Sequence, residues 1–316
     1  MIQYLVILLD DTSVSFCHYR NNKQEPNLMS LDTLKAAIVY AMKENLNIQF
    51  VYPDYPLPHT YEEVIESTDH IKIKPVNVSD DADIIVFNSI AETKCFAKPT
   101  LDDVSYVVRT DRGKLFAQVS DIVSLLNKVK RLNVIITDVD AFTDDDFNKY
   151  SGVLQELSEI IENLYLNDSV VQLNLLTDRM MLDKMNNCGA GDMVITLAPN
   201  GKFYVCPAFY YDQEDLSVGN LSSGLDIKNP QLYKLDHAPL CRNCDAYQCN
   251  RCIWLNHKTT FEVNTPSHEQ CVLAHLERNC SRMLLKNIRR HGQFLTGRED
   301  IKEISYLDPF DVRKEW

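Results

Sequence analysis

Short apolar runs alternate with amphipathic stretches along the first half of the chain. Tyr4 to Leu9 is a continuous apolar run of strand length, as expected for a strand covered on both faces. Ser30 can cap a helix predicted over 31–45, which places Leu34, Ile38 and Ala41 on one face. The pattern predicts further strands at 48–52, 71–74, 82–87, 105–109, 133–136 and 170–175, with helices near 61–66, 115–129 and 144–164. Thr143 with Asp146 approximates a capping pair at the start of the last of these. Strands and helices in this succession imply an α/β architecture with a largely parallel sheet, either open or curved as a partial (β/α) barrel. Ligands in such folds lie at the carboxyl ends of the strands. Those ends carry Asp10, Asp11, Asp54, Asn88, Arg109, Asp111, Thr137, Asp138 and Asp140, each of which reads first as a loop or capping residue.

The pattern changes near Met180. From Cys188 the chain is rich in cysteine, glycine and proline, and helical periodicity is lost until about Pro266. A hairpin is predicted at 194–205 about the turn Pro199-Asn200-Gly201, with Cys206 at its exit. Thr265 and Pro266 open a predicted helix of about twenty residues that carries Cys271, His275 and Cys280.

At 316 residues and 45% hydrophobic, the chain can bury one large core or two ordinary ones. The run at 4–9 is too short to span a membrane and lacks the form of a signal peptide, which implies a cytoplasmic protein without a membrane partner. Ten cysteines in that compartment point to metal ligands or thiols rather than a disulfide framework. With 45 acidic against 32 basic residues, the net charge of −13 argues against nucleic acid as a partner. Gly-rich phosphate loops, paired helical histidines and Gly-x-Ser-x-Gly segments are absent from the sequence.

Candidate chemistry concentrates in Cys241, Cys244, Cys249 and Cys252, four thiols within twelve residues, flanked by Cys188, Cys206, Cys271 and Cys280. Cys241-x2-Cys244 and Cys249-x2-Cys252 are chelating pairs with only four residues between them. A four-cysteine zinc site usually has a longer spacer, although a compact zinc knuckle remains open. Iron and sulfide tolerate the short spacing better, because a cubane offers four corners around a larger core.

The ordered string Cys188-Gly189-Ala190-Gly191, Pro199 to Pro207, Gly219-Asn220-Leu221, Cys241-x2-Cys244-x4-Cys249-x2-Cys252 and Cys271 resembles the SPASM domain of radical SAM peptide-modifying enzymes. With the opening Tyr4 to Tyr19 and the segment Met42 to Asp54, the chain is similar to the CXXX repeat peptide maturase family. The resemblance implies a radical-SAM-barrel-like α/β domain over 1–180, a SPASM-like cluster-binding domain over 181–290 and a C-terminal extension over 291–316. It implies two [4Fe–4S] clusters, one held by Cys188, Cys206 and Cys252 and the other by Cys241, Cys244, Cys249 and Cys271. Cys280 or a substrate thiol is the candidate to complete the first cluster. The family's radical centre needs a Cys-x3-Cys-x2-Cys loop after the first strand. This chain has Cys17 there and no second cysteine until Cys95, so S-adenosylmethionine is not expected to be used.

The resulting expectation is an iron–sulfur protein in maturation of a ribosomally made cysteine-repeat peptide, binding the precursor, relaying electrons, or both, together with a partner modification enzyme. One alternative is an autonomous peptide-modifying oxidoreductase at an open cluster, helped by Asp10, Asp11 or Asp138. The other is a binding module in which zinc staples an irregular domain.

Overall fold

A computed structural model describes residues 2–96 and 100–301. The C-terminal extension expected over 291–316 lies outside the described residues from 302 onward. In chain order the elements are β1 (Tyr4–Leu8), α1 (Leu31–Glu44), β2 (Asn47–Val51), α2 (His59–Ile65), β3 (His70–Pro75), β4 (Ile84–Phe87), α3 (Ile90–Lys94) and β5 (Ser105–Thr110). They continue with α4 (Arg112–Ala117), α5 (Val119–Leu126), β6 (Arg131–Ile136), α6 (Asp144–Leu166), β7 (Gln172–Leu173) and α7 (Thr177–Met181). Then come β8 (Val194–Leu197), β9 (Phe203–Tyr204), α8 (Pro207–Asp212), β10 (Gly219–Asn220), β11 (Gly224–Leu225), α9 (Ile253–Thr260) and α10 (His268–His291). The architecture is α/β with a mostly parallel sheet, as the alternation of elements implied.

Two compact units interleave along the sequence: residues 1–88 with 188–238, and residues 89–187 with 239–316. In the first, the strand order is β4-β3-β2-β1-β8-β9. β1 lies between β2 and β8, parallel to both, with Leu5 opposite Ile48 on one side and Ile195 on the other. That central position explains its unbroken apolar run, because both faces and both edges are covered. Leu5, Ile7, Leu34, Ile38, Phe50 and Phe203 share one apolar core beneath α1. Ser30 caps α1 by accepting the Thr33 N–H, and β8 and β9 form the expected hairpin with Leu197 opposite Phe203. Gly201, at φ +73°, supplies the left-handed residue of its turn.

In the second unit β6 lies between β5 and β7, again parallel to both. Helix α6 packs along α10, burying Tyr150, Leu154, Leu157 and Ile161 on one and Leu273, Leu284 and Ile288 on the other. Three expectations are corrected here. The helix expected at 115–129 is two helices that meet at Gln118, whose φ of −131° leaves the helical region. The strand expected over 170–175 pairs only at Gln172–Leu173. The segment expected to lack helices up to Pro266 contains α8 and α9.

Candidate metal centre

The knuckle from Cys241 to Cys252 lies in the second unit. The Cys244 N–H bonds to the Cys241 carbonyl at 3.1 Å and the Cys249 N–H to the Ala246 carbonyl at 2.9 Å, so each half of the loop is a tight turn. Backbone amides then turn onto sulfur. The Ala246 N–H donates to Cys244 Sγ and the Arg251 N–H to Cys249 Sγ, both at 3.4 Å. Arg251 reaches this position in a left-handed conformation, φ 42°, a geometry that costs a non-glycine residue roughly 1–2 kcal/mol. Amide dipoles directed at sulfur stabilise the thiolate that a metal requires.

Burial pushes the Cys249 thiol up, and the neighbouring Cys241 and Cys244 push it further. Neighbouring thiols that raise one another in this way ionise together only beside a cation, and thiolates are the chemistry that a metal or cluster takes. Cys271 lies in the first turn of α10, and His275 follows one turn later on the same face with Nε2 3.6 Å from Cys244 Sγ. That contact brings the Cys271 face of the helix to the knuckle. Among the described residues, no three His, Cys, Asp or Glu side chains converge as a set for a single ion.

A shell of polar contacts fastens the loop to its helices. Asp245 takes the buried Arg278 at 2.8 Å and the buried Arg179 at 3.7 Å, and the Arg179 guanidinium lies 4.2 Å over the Tyr247 ring. Gln248 donates to the Ala274 carbonyl at 2.6 Å and to Glu277 at 3.5 Å. The Tyr150 hydroxyl donates to Glu277 at 2.7 Å. Burial pushes the Glu277 carboxyl up to about 7, against the pull of those two hydrogen bonds. His275, Glu277 and Tyr150 were not singled out as site residues from the sequence. A signal existed for His275 alone, the helical Cys271-x3-His275 spacing.

Cys280 is placed differently. Its thiol donates to the Leu154 carbonyl of α6 at 3.4 Å, and burial pushes it up to about 11. In the first unit, Cys206 is the N-cap residue of α8, and Cys188 precedes Gly189, whose carbonyl accepts the N–H groups of Asp192, Met193 and Val194. Tyr233 lies between Cys206 and Gly191. Its phenol is pushed up by burial and then by the adjacent Cys206, while its ring lies 2.6 Å from where a Gly191 Cβ would stand. Gly191 has φ +78°, so both backbone and space demand glycine there. Cys252 belongs to the second unit, where it caps α9.

The loop after β1 is occupied by protein hydrogen bonds. Asp10 accepts from the Thr12 N–H at 2.7 Å, the Thr12 hydroxyl at 2.6 Å and the Tyr55 hydroxyl at 2.8 Å. Asp11 accepts from the Asn27 amide at 3.1 Å and from the Tyr210 hydroxyl. Lys23 ties Tyr210 at 2.8 Å to Glu214 at 2.5 Å. With Cys17 as its one thiol, this loop does not fit a cluster that needs three. In the second unit Asp138 is likewise engaged, by the N–H and guanidinium of Arg112.

No family model matches the chain, and no curated protein matches it. Among solved structures the fold is similar to histidine-tagged anSMEcpe with bound AdoMet, at a TM-score of 0.63 and 12% identity over 91% of this chain and 96% of that one. Native anSMEcpe with bound AdoMet and Cp18Cys peptide gives 0.62 at 12% identity, over 90% of this chain and 99% of that one. Streptococcus suis SuiB bound to S-adenosylmethionine gives 0.47 at 12% identity, over 86% and 75%. At such identity the likeness is one of fold. Both anSMEcpe structures hold AdoMet, so the fold lends no support to the expectation that S-adenosylmethionine is not used here. That expectation rests on the missing thiols alone.

Proposed function

We propose that the chain is an iron–sulfur protein acting in maturation of a ribosomally made peptide, with a cysteine-repeat precursor as its partner. The observation that carries this reading is the knuckle: the Cys249 thiol feels the charges of Cys241 and Cys244, and backbone N–H groups donate to Cys244 and Cys249. The fold shared with anSMEcpe, whose structures include a Cp18Cys peptide, supports the peptide as partner. Cys241, Cys244, Cys249 and Cys271 hold one cluster in this reading, and Cys188 and Cys206 contribute to another. Bound there, iron–sulfur clusters supply one-electron transfer and, at an underligated iron, a place for a substrate sulfur. The chain's own groups orient the ligands: Ala246 and Arg251 direct amides at sulfur, and Asp245 pins the loop between Arg179 and Arg278. Asp10 and Asp11 serve as structural acceptors in the loop after β1, and radical generation falls to the partner modification enzyme.

Anaerobic isolation followed by iron and sulfide counting tests the assignment. About eight irons per chain are expected for two cubanes, with about half lost in Cys249→Ala. Cys280→Ala is expected to retain the full count, because that thiol is spent on the contact between α6 and α10. Stoichiometric zinc with no visible absorption overturns the reading. Incubation with a cysteine-repeat peptide, with and without a radical enzyme, then separates electron relay from autonomous turnover.

A further inference from the structure

The C-terminal half of α10 lines a cleft of about 560 Å³ in the second unit. Arg282, Met283, Lys286 and Arg290 face it from the helix, and the returning segment 292–301 forms the opposite wall with Asp300 and Ile301. That wall is built. The Arg289 guanidinium donates to the carbonyls of Phe294 at 3.2 Å, Leu295 at 2.9 Å and Arg298 at 2.8 Å, and pairs with Asp300. The Phe294 ring meets Tyr165 of α6 edge-on at 4.9 Å.

The chemistry of this cleft runs against that of the chain. In a protein of net charge −13, it gathers four cationic side chains and a single acid. Lys286 and Arg290 are accessible, one helical turn apart, and have no ion-pair partner among the described residues. Met283, 48% exposed, stands on the same face and is the cleft's accessible apolar side chain, with Leu285 and Ile301 buried behind it. Cations at one-turn spacing match carboxylates about 5–6 Å apart, and the exposed Met283 matches an apolar side chain beside them. Phosphate surfaces satisfy the cations but leave Met283 without an apolar partner.

We propose that this cleft docks an acidic stretch of peptide that interleaves carboxylates with aliphatic or aromatic side chains. The choice of a peptide rests on the proposed function, and the site itself on the charge and shape of the cleft. Because the chain as a whole is acidic, such a stretch is repelled elsewhere and directed here.

The test is fluorescence anisotropy on the full chain, isolated anaerobically, with a fluorescein-labelled peptide of alternating glutamate and leucine and its glutamine counterpart. Wild type is expected to bind the glutamate peptide, weakly at high salt, and to ignore the glutamine one. The double variant Lys286→Glu/Arg290→Glu is expected to lose about tenfold or more in affinity, and Lys286→Gln/Arg290→Gln an intermediate amount. Arg289 is kept, since it builds the wall. Unchanged binding in the reversal variant, with wild-type circular dichroism and iron content, overturns the proposal. So does a preference for phosphatidylserine vesicles over the peptide, or a dimer of this chain that the same reversal dissociates. Iron counting reads the proposed function and anisotropy reads the cleft, so the failure of one is distinguishable from that of the other.

Discussion

Glu277 shows how one side chain reports on its surroundings. Its carboxyl is seated between Tyr150 and Gln248, and burial holds it at about 7, above the ordinary 4.5. The folded protein therefore binds this proton more tightly than the unfolded chain does. The sign follows: the protonated form leaves stability intact below about pH 4.5, and stability is lost as pH rises through 7, by an amount on the order of 3 kcal/mol. Glu277→Gln is expected to flatten this dependence. Urea midpoints of variant and wild type, compared at pH 5 and pH 8, should differ more at pH 8; an equal difference at both values removes burial of the carboxylate as the cause. Cys280 carries a related lesson. Its position in the sequence suits a ligand, yet its sulfur is used to join two helices. Sequence spacing identifies a thiol's reach along the chain but not the direction in which a helix presents it.

Helix α6 begins with a complete capping box, in which Thr143 accepts the Asp146 N–H and Asp146 accepts the Thr143 N–H. This was legible because capping is local: the partners are three residues apart and no tertiary contact is needed. Thr143→Ala is expected to cost about 1 kcal/mol, mostly as fraying of the first turn. Hydrogen exchange at Asp146 and Phe147, whose N–H groups bond to Thr143, should accelerate roughly fivefold without change in the middle of the helix. The elements that escaped sequence reading share a physical reason. In α9 the buried residues Ile253, Leu255 and Asn256 do not form an apolar stripe, and the helix is tied to the segment that follows it by hydrogen bonds from Asn256 to the Val263 carbonyl and from Thr260 to the Thr265 carbonyl. The break at Gln118 carries neither glycine nor proline to announce it. The candidate site divides in the same way. Its cysteines were visible as spacing, whereas Asp245, Gln248 and Glu277 become a supporting shell only once α10 is folded against the loop.

At the scale of the whole molecule, the interleaving of the two units determines which parts of the chain depend on distant ones. Within the first unit β1 draws one neighbour from nearby sequence, β2, and the other from β8, close to two hundred residues away. The Asp11, Lys23, Tyr210 and Glu214 network joins the same distant segments. This long-range closure was illegible in the sequence, since the apolar run of β1 marks a buried strand without naming its partners. During synthesis, β1 can find β2 early while its other edge waits for residues that the ribosome has not yet joined. For that interval Tyr4 to Ile7 present unpaired amides and carbonyls, a template on which a neighbouring nascent chain can add a strand. A fragment ending at residue 187 makes the interval permanent. It is expected to sediment as aggregate, and to be returned to solution by co-expression of 188–238; a monodisperse fragment would show that the missing strand is not what protects this edge.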